Sequence, residues 1–238
     1  MTKLPPEASP TALVTGASKG LGRALATALN DRGWRLVIDG RDAARLTSAV
    51  AGFPRPDLVT AVAGDVADPA HRSALAAATG HRLDLLVNNA SELGPSPLPR
   101  LADLAPGELQ RILGVNVVAP LALVQELLPA LRNAGGTVLA ISSDAAVEAY
   151  EGWGGYGATK AALEQISNVL AAERPDLRVY AVDPGDMNTR MHQQAFPGED
   201  ISDRPSPRES VPGLLALAEG DVPSGRHRAA DLAAAVHA

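Results

Sequence analysis

The sequence contains no cysteine. That absence removes disulfides, thiolate nucleophiles and cysteine-ligated zinc or iron–sulfur centres together. Aromatic residues are scarce, at 3% of 238 positions, so alanine, valine and leucine must build the core. Basic residues are outnumbered by acidic ones, 21 to 27, for a net charge of −6. A chain without a basic excess has little to set against a phosphate backbone, so nucleic acid is not an expected partner. The histidines, at 71, 81, 192, 227 and 237, show no tight ligand spacing, and no metal site is expected. The longest apolar run, Val115 to Leu131, is broken by Asn116, Gln125, Glu126 and two prolines, so no membrane span is expected. Residues 1–9 are polar and lack the apolar centre of a signal peptide. Without one, the sequon Asn89-Ala90-Ser91 is not expected to carry glycan. A soluble, cytoplasmic protein follows as an expectation.

What is present is alternation. Short apolar runs at Thr11–Thr15, Arg35–Asp39, Leu58–Val62, Leu83–Val87, Gly136–Ile141 and Leu177–Val182 read as strands. Between them lie helical patterns: Gly20 to Arg32 closed by Gly33, a helix capped by Asp42, one opening at Pro69, a long one from about Glu108 to Arg132, and Gly154–Glu173. Strand–helix alternation means βαβ units and an α/β fold with a parallel sheet. Phe196–Gly213 is rich in proline and charge. Too little chain follows it for a second domain, so residues 1–238 read as one domain with a mobile loop over the site.

The first strand runs into Thr15-Gly16-Ala17-Ser18-Lys19-Gly20-Leu21-Gly22. Glycines there let backbone approach a ligand, and the helix N-terminus offers free N–H groups to a pyrophosphate. The spacing is GxxxGxG, neither the commonest dinucleotide fingerprint nor a P-loop. Close helix–strand packing is the other use of such glycines. Near the end of the second strand, where many dinucleotide sites carry an acid, stands Gly40, followed by Arg41. Lys19 and Arg41 suit a 2′-phosphate, unless they are only solvated charges. Asp39, one residue earlier, should point to the opposite side from residue 40.

Tyr156 and Lys160 stand four apart on one helical face. A phenol moves protons poorly at neutral pH unless a nearby ammonium favours its anion. Ser143 follows the fifth strand, at the carboxyl edge where parallel sheets bind ligands. Its hydroxyl suits a carbonyl oxygen that gains charge, or a simple turn cap.

Taken together, Thr15–Gly22, Asn88-Asn89-Ala90, Asn116, Ser143, Tyr156-x-x-x-Lys160 and Pro184-Gly185 before Thr189 resemble the short-chain dehydrogenase/reductase family, in its compact single-domain branch. The resemblance implies a doubly wound, Rossmann-type parallel sheet of about seven strands with helices on both faces. It implies a nicotinamide cofactor, and Lys19 and Arg41 resemble the NADP(H)-preferring members. It makes Tyr156 the proton donor, Ser143 the holder of the carbonyl oxygen, and Lys160 the ribose ligand that lowers the Tyr156 pKa. Asn116 would hold a water. Cofactor contacts are implied at Thr15, Gly16, Ser18, Lys19, Gly20, Leu21, Gly22, Arg41, Asp65, Val66, Asn88, Ala90, Tyr156, Lys160, Pro184, Gly185 and Thr189. The substrate would be a small carbonyl or alcohol compound, beside Asp144, Glu148, Trp153, Met187, Met191, His192 and Phe196, under a lid at about 190–212. A homodimer or homotetramer is implied, with Leu121, Val124, Leu128, Leu163 and Ile166 supplying apolar surface. A non-enzymatic NADP-binding sensor or scaffold on the same fold is the alternative. Three features depart from the family pattern. Ser91 replaces the usual glycine after Asn-Asn-Ala, Ser224-Gly225-Arg226 is all that remains of the usual last-strand motif, and Asp186 stands near the nicotinamide side, as a helix cap or a substrate contact.

Overall fold

Successive side chains of a strand enter opposite layers. In the computed structural model, which describes residues 9–236, Ala12 and Val14 of β1 (Thr11–Val14) enter one apolar layer and Leu13 the other. Strand β2 (Arg35–Gly40) repeats the pattern, with Leu36 and Ile38 on the first side and Val37 on the second. The expectations for residues 1–8 and His237 lie outside the described residues. Five more strands follow: β3 (Val59–Ala63), β4 (Leu85–Asn88), β5 (Thr137–Ile141), β6 (Arg178–Asp183) and β7 (Gly225–Arg228). All seven are parallel, in the order β3-β2-β1-β4-β5-β6-β7. A sheet covered on both faces needs apolar residues on both, which is why β1, β4 and β5 show continuous apolar runs rather than alternation.

Helices α1 (Gly20–Asp31) and α8 (Val211–Glu219) cover the first face through Leu21, Leu25, Leu29, Leu214 and Leu217. Helices α3 (Pro69–Thr79) and α5 (Ala119–Ala134) cover the second through Leu75, Leu123, Leu127 and Leu131. Asp42 accepts from Arg45 N–H to start α2 (Ala43–Ala51), and Asp68 caps α3 ahead of Pro69. Strand order reverses between β1 and β4, so the loops that leave these strands part and open a crevice at the carboxyl edge.

The structure differs from the sequence reading in four places. The helix expected from Glu108 to Arg132 is α4 (Pro106–Leu113), a π-helical turn over Gly114–Val118, and α5. By length and composition the whole stretch Pro106–Ala134 could cross a membrane, but its Leu123, Leu127 and Leu131 lie in the second layer. Residues 190–212 hold α7 (Arg190–Ala195), a 3-10 turn at Pro207–Ser210 closed by a Ser206–Glu209 capping box, and the start of α8, with Ile201 buried between. The tail forms β7 and α9 (Ala229–Val236). Finally, Val124 and Leu163, expected on the surface, are core residues, because the sheet claims that side of α5 and of α6 (Gly154–Glu173). Leu121 is exposed as expected, and Val118 and Val169 join it.

Candidate active site

The phosphate loop is held from behind. Thr15 donates to Val87 O at 3.1 Å and accepts from the N–H groups of Asn89 and Ala90, both at 3.0 Å. Gly16 adopts a φ of +67°, a conformation strained for any residue with a Cβ. A Cβ at Gly22 would stand 2.4 Å from Asn89 Nδ2 and 2.8 Å from Gly16 O, so that glycine permits close packing. Asp39 ties the loop to β2: Oδ1 accepts from Gly16 N–H at 2.5 Å, and Oδ2 pairs with His71 Nε2 at 3.1 Å. Its carboxylate points toward α3, away from the side of Gly40, as alternation requires.

The loop opens onto a cleft of about 1260 Å³. Gly16, Ser18, Lys19, Gly20, Leu21, Arg41, Asp65, Val66, Ala90, Ser143, Tyr156, Lys160, Pro184, Gly185 and Thr189 line it. The other expected contacts do not. Thr15 and Asn116 are buried behind the wall, where their side chains bond the backbone, Asn88 is buried with its Oδ1 unpartnered, and Gly22 lies in the helix–loop packing; Asn89 lines the cleft in the place expected for Asn88. At the loop, burial lowers the Lys19 pKa, and the like charges of Arg190, Arg45 and Arg41 lower it further. Cations that crowd one another in this way fit a multiply charged phosphate ligand, and the glycine cradle fits a pyrophosphate. Sequence reasoning found Lys19 and Arg41 but missed Arg190 and Arg45, which nothing in their local sequence marks.

At the other end, Tyr156 and Lys160 descend from α6. Lys160 Nζ lies 5.3 Å from the Tyr156 ring centre and donates to Ile141 O at 2.7 Å. Burial lowers the Lys160 pKa from 10.5 to about 8, opposed by the Glu164 carboxylate. Burial also raises the phenol of Tyr156 well above its usual value, the charges of Asp144 and Asp183 add to this, and the Ser91 hydroxyl beside it opposes the shift. Ser91 therefore bears on the phenol, and its Oγ also donates to Asn116 Oδ1 at 3.2 Å. Asn116 sits in the π-helical turn, a distortion frequent at functional sites. Its amide is fully engaged: Nδ2 donates to Glu92 O at 2.8 Å and Thr159 Oγ1 at 2.9 Å, and Oδ1 accepts from Glu92 N–H at 2.8 Å as well as from Ser91. No side-chain hydrogen is left for the water expected there.

Ser143 accepts from Ala145 N–H at 3.1 Å, so it caps a turn, and donates to Asp144 Oδ1 at 2.9 Å. Tyr150 donates to the second oxygen of Asp144 at 3.0 Å. Trp153 stands edge-on to Tyr156 at 5.8 Å and tilted to Phe196 at 6.0 Å. Asp144, Trp153, Met187, Met191, His192 and Phe196 line this end as expected, and Glu148 lies outside it. Asp186 does not cap α7; Thr189 does, and Asp186 faces His192 and Arg204, each at 3.9 Å.

A phosphate-binding loop at the switch point of a doubly wound sheet, with a buried Tyr–Lys pair and a serine at the carboxyl edge, defines a nucleotide-dependent oxidoreductase. The comparisons agree. The sequence pattern of the family described as short chain dehydrogenase matches residues 10–200. The oxidoreductase YciK of Escherichia coli K12 is 32% identical over 221 residues, 88% of this chain and 86% of that one. Sepiapterin reductase of Bos taurus is 34% identical, over 87% of this chain and 82% of that one. A short-chain dehydrogenase of Shigella flexneri 2a, solved in complex with NADP, superposes with a TM-score of 0.85 at 29% identity, over 93% of this chain and 97% of that one. The chain belongs to the short-chain dehydrogenase family.

Proposed function

We propose that the protein transfers a hydride between NADP(H) and a carbonyl or secondary alcohol substrate, with Tyr156 as proton donor and acceptor. The observation that carries this reading is the placement of Lys160 over the buried Tyr156 ring, in the same cleft as Ser143 and the Lys19–Arg190 cations. When bound, the nicotinamide supplies or accepts the hydride. The chain does the rest. Lys19, Arg41, Arg45 and Arg190 draw the phosphates to one end of the cleft. The Ser143 hydroxyl turns from Asp144 to a substrate oxygen, where it stabilises growing negative charge. Tyr156 gives that oxygen its proton, Lys160 favours the phenolate that remains, and the single Ser91 hydroxyl hydrogen turns from Asn116 Oδ1 to the phenolate oxygen. Serine 3-dehydrogenase of Agrobacterium fabrum, 37% identical over 183 residues, is named for a reaction of this class, and the Shigella flexneri complex supports the choice of NADP.

The test pairs a panel of carbonyl compounds, followed by NADPH absorbance, with Tyr156→Phe. The ring is kept and the proton is lost, so turnover falls about 10²–10⁴-fold while NADPH affinity stays within about threefold. Unchanged turnover in Tyr156→Phe places the proton donor elsewhere. Tight NADPH binding with no substrate reduced by the wild type favours a sensor.

A further inference from the structure

Arg41 is not free in this structure. Its guanidinium crosses the cleft from the end of β2 to the loop after β4 and pairs with Glu92 through Nη1 and Oε1. Arg111, on α4, holds the other oxygen of Glu92 and also grips Glu108 at 2.9 Å. Only 13% of the Glu92 side chain is exposed, against 63% for Arg41. The main chain of Glu92 is fixed at both ends of its peptide by Asn116, at 2.8 Å each. The carboxylate is therefore the stationary partner and the guanidinium the mobile one.

We infer that Glu92 is a specificity-determining residue of the cofactor site: it competes with the 2′-phosphate of NADP(H) for Arg41, and so sets the preference over NAD(H). This rests on the NADP reading above. A carboxylate and a phosphate cannot both take the same face of one guanidinium at full strength. When Arg41 turns to a phosphate, Glu92 keeps Arg111, so no unpaired carboxylate is left in a largely buried position. That retained partner makes the exchange feasible. The arrangement also differs from an acid at the end of β2. Position 40 is glycine, where a Cβ would stand 3.0 Å from Ser18 Oγ, and among the described residues the carboxylate that pairs with Arg41 comes from the loop after β4.

Dissociation constants for NADPH, NADH and adenosine 2′,5′-bisphosphate are measured by fluorescence and calorimetry on wild type, Glu92→Gln, Arg41→Ala and the double variant. Glu92→Gln is expected to tighten NADPH and the bisphosphate by about three- to tenfold, the scale of a partly exposed ion pair, and to leave NADH within about twofold. In the Arg41→Ala background the same change is expected to do nothing. Glu92→Asp, which keeps the charge but shortens its reach, is expected to follow Glu92→Gln. Weaker or unchanged NADPH binding in Glu92→Gln, equal gains for both cofactors, or a gain that survives loss of Arg41 would each overturn the inference. If wild type prefers NADPH through Arg41 and Glu92→Gln changes nothing, Glu92 alone is misassigned. If no variant prefers NADPH, the NADP reading falls and this inference with it.

Discussion

Lys160 and Tyr156 occupy one buried pocket, ammonium to ring centre 5.3 Å, and burial pushes their proton affinities in opposite directions. Burial makes the ammonium easier to lose and the phenolate harder to form. A site arranged in this way sacrifices stability for reactivity. It also holds the phenol protonated, ready to donate, until a cofactor and substrate change its surroundings.

The first prediction concerns that sacrifice. The Lys160 pKa falls from 10.5 in the unfolded chain to about 8 in the folded one. Below about 8 both states carry the proton and the full burden of a buried cation is present. Between about 8 and 10.5 the unfolded state binds more protons, so stability rises with pH; above 10.5 the burden is gone. The shift is worth roughly 3 kcal/mol across that window. Urea denaturation of wild type and Lys160→Met at pH 7.5, 9 and 10 is expected to show wild type gaining on the variant as pH rises. A constant difference contradicts a depressed Lys160.

Ser91 gives the second. Its hydroxyl lies against the phenol; its one hydrogen goes to Asn116 Oδ1 while the phenol is protonated and turns to the oxygen once the phenolate forms. Ser91→Gly restores the family's usual residue and removes that support. Turnover is expected to fall by about three- to tenfold, the value of one hydrogen bond of about 1 kcal/mol, with NADPH affinity unchanged. For alcohol oxidation, the rising limb of the pH–rate profile moves to higher pH, because the phenolate has lost a partner. A purely structural serine would lower the melting temperature and leave that limb in place.

The contrast between residues explains what the sequence made legible. The phosphate loop, Ser143, Tyr156 and Lys160 are local patterns at strand ends, and parallel-sheet topology brings strand ends together, so their assembly could be read in advance. Strand β7 could not. Gly-Arg-His-Arg has no apolar alternation, and it is a strand because β6 offers a ladder and because Glu164 and Asp183 receive Arg226, at 3.0 and 3.7 Å. The π-helical turn at Gly114–Val118 was equally hidden, since the one-residue shift of register it makes falls in a valine-rich run where either register presents apolar residues. Glu92 and Arg111 escaped for another reason. They are 19 residues apart, each unremarkable alone, and acquire meaning only through the fold that sets both across from Arg41.

A third prediction separates holding the loop from reading the cofactor. Asp39 borders the cleft, but both its oxygens are engaged, one accepting from Gly16 N–H and the other paired with His71, which assigns it to setting the loop. Asp39→Asn is expected to weaken NADPH and NADH alike, by about tenfold, and to cost about 1–3 kcal/mol of stability through the buried partners left poorly satisfied. Arg41→Ala is expected to weaken NADPH by about ten- to a hundredfold and spare NADH and stability. Titration of both cofactors against both variants checks the split. A selective loss of NADPH in Asp39→Asn would mean that this carboxylate acts on the cofactor's adenosine end directly.

The last prediction concerns residues 190–212, which line the cleft through Met191, His192 and Phe196 and meet the catalytic aromatic pair at Phe196. Phe196, just past α7, tilts against Trp153 at 6.0 Å, and Trp153 in turn stands edge-on to Tyr156 at 5.8 Å. His192 meets the same Phe196 at 4.9 Å between ring centres, tilted by 39°. Between Phe196 and the capped turn at Pro207, Ile201 is buried, and most of its neighbours are exposed proline, glycine, serine and acidic residues. Segments with so little buried apolar area open at low free energy. Substrate that fills the space beside Trp153 should therefore order the segment. Amide exchange across 190–212 is expected to slow with NADPH plus substrate, more than with NADPH alone. Phe196→Ala removes the contact without touching the phosphate end, so KM for substrate is expected to rise by about tenfold or more while NADPH affinity holds. Trp153 reports the same event, because the other tryptophan, Trp34, is buried far along the chain against Glu219. A Phe196→Ala variant with unchanged KM, together with exchange rates indifferent to substrate, would show that this segment covers the cleft without closing on it.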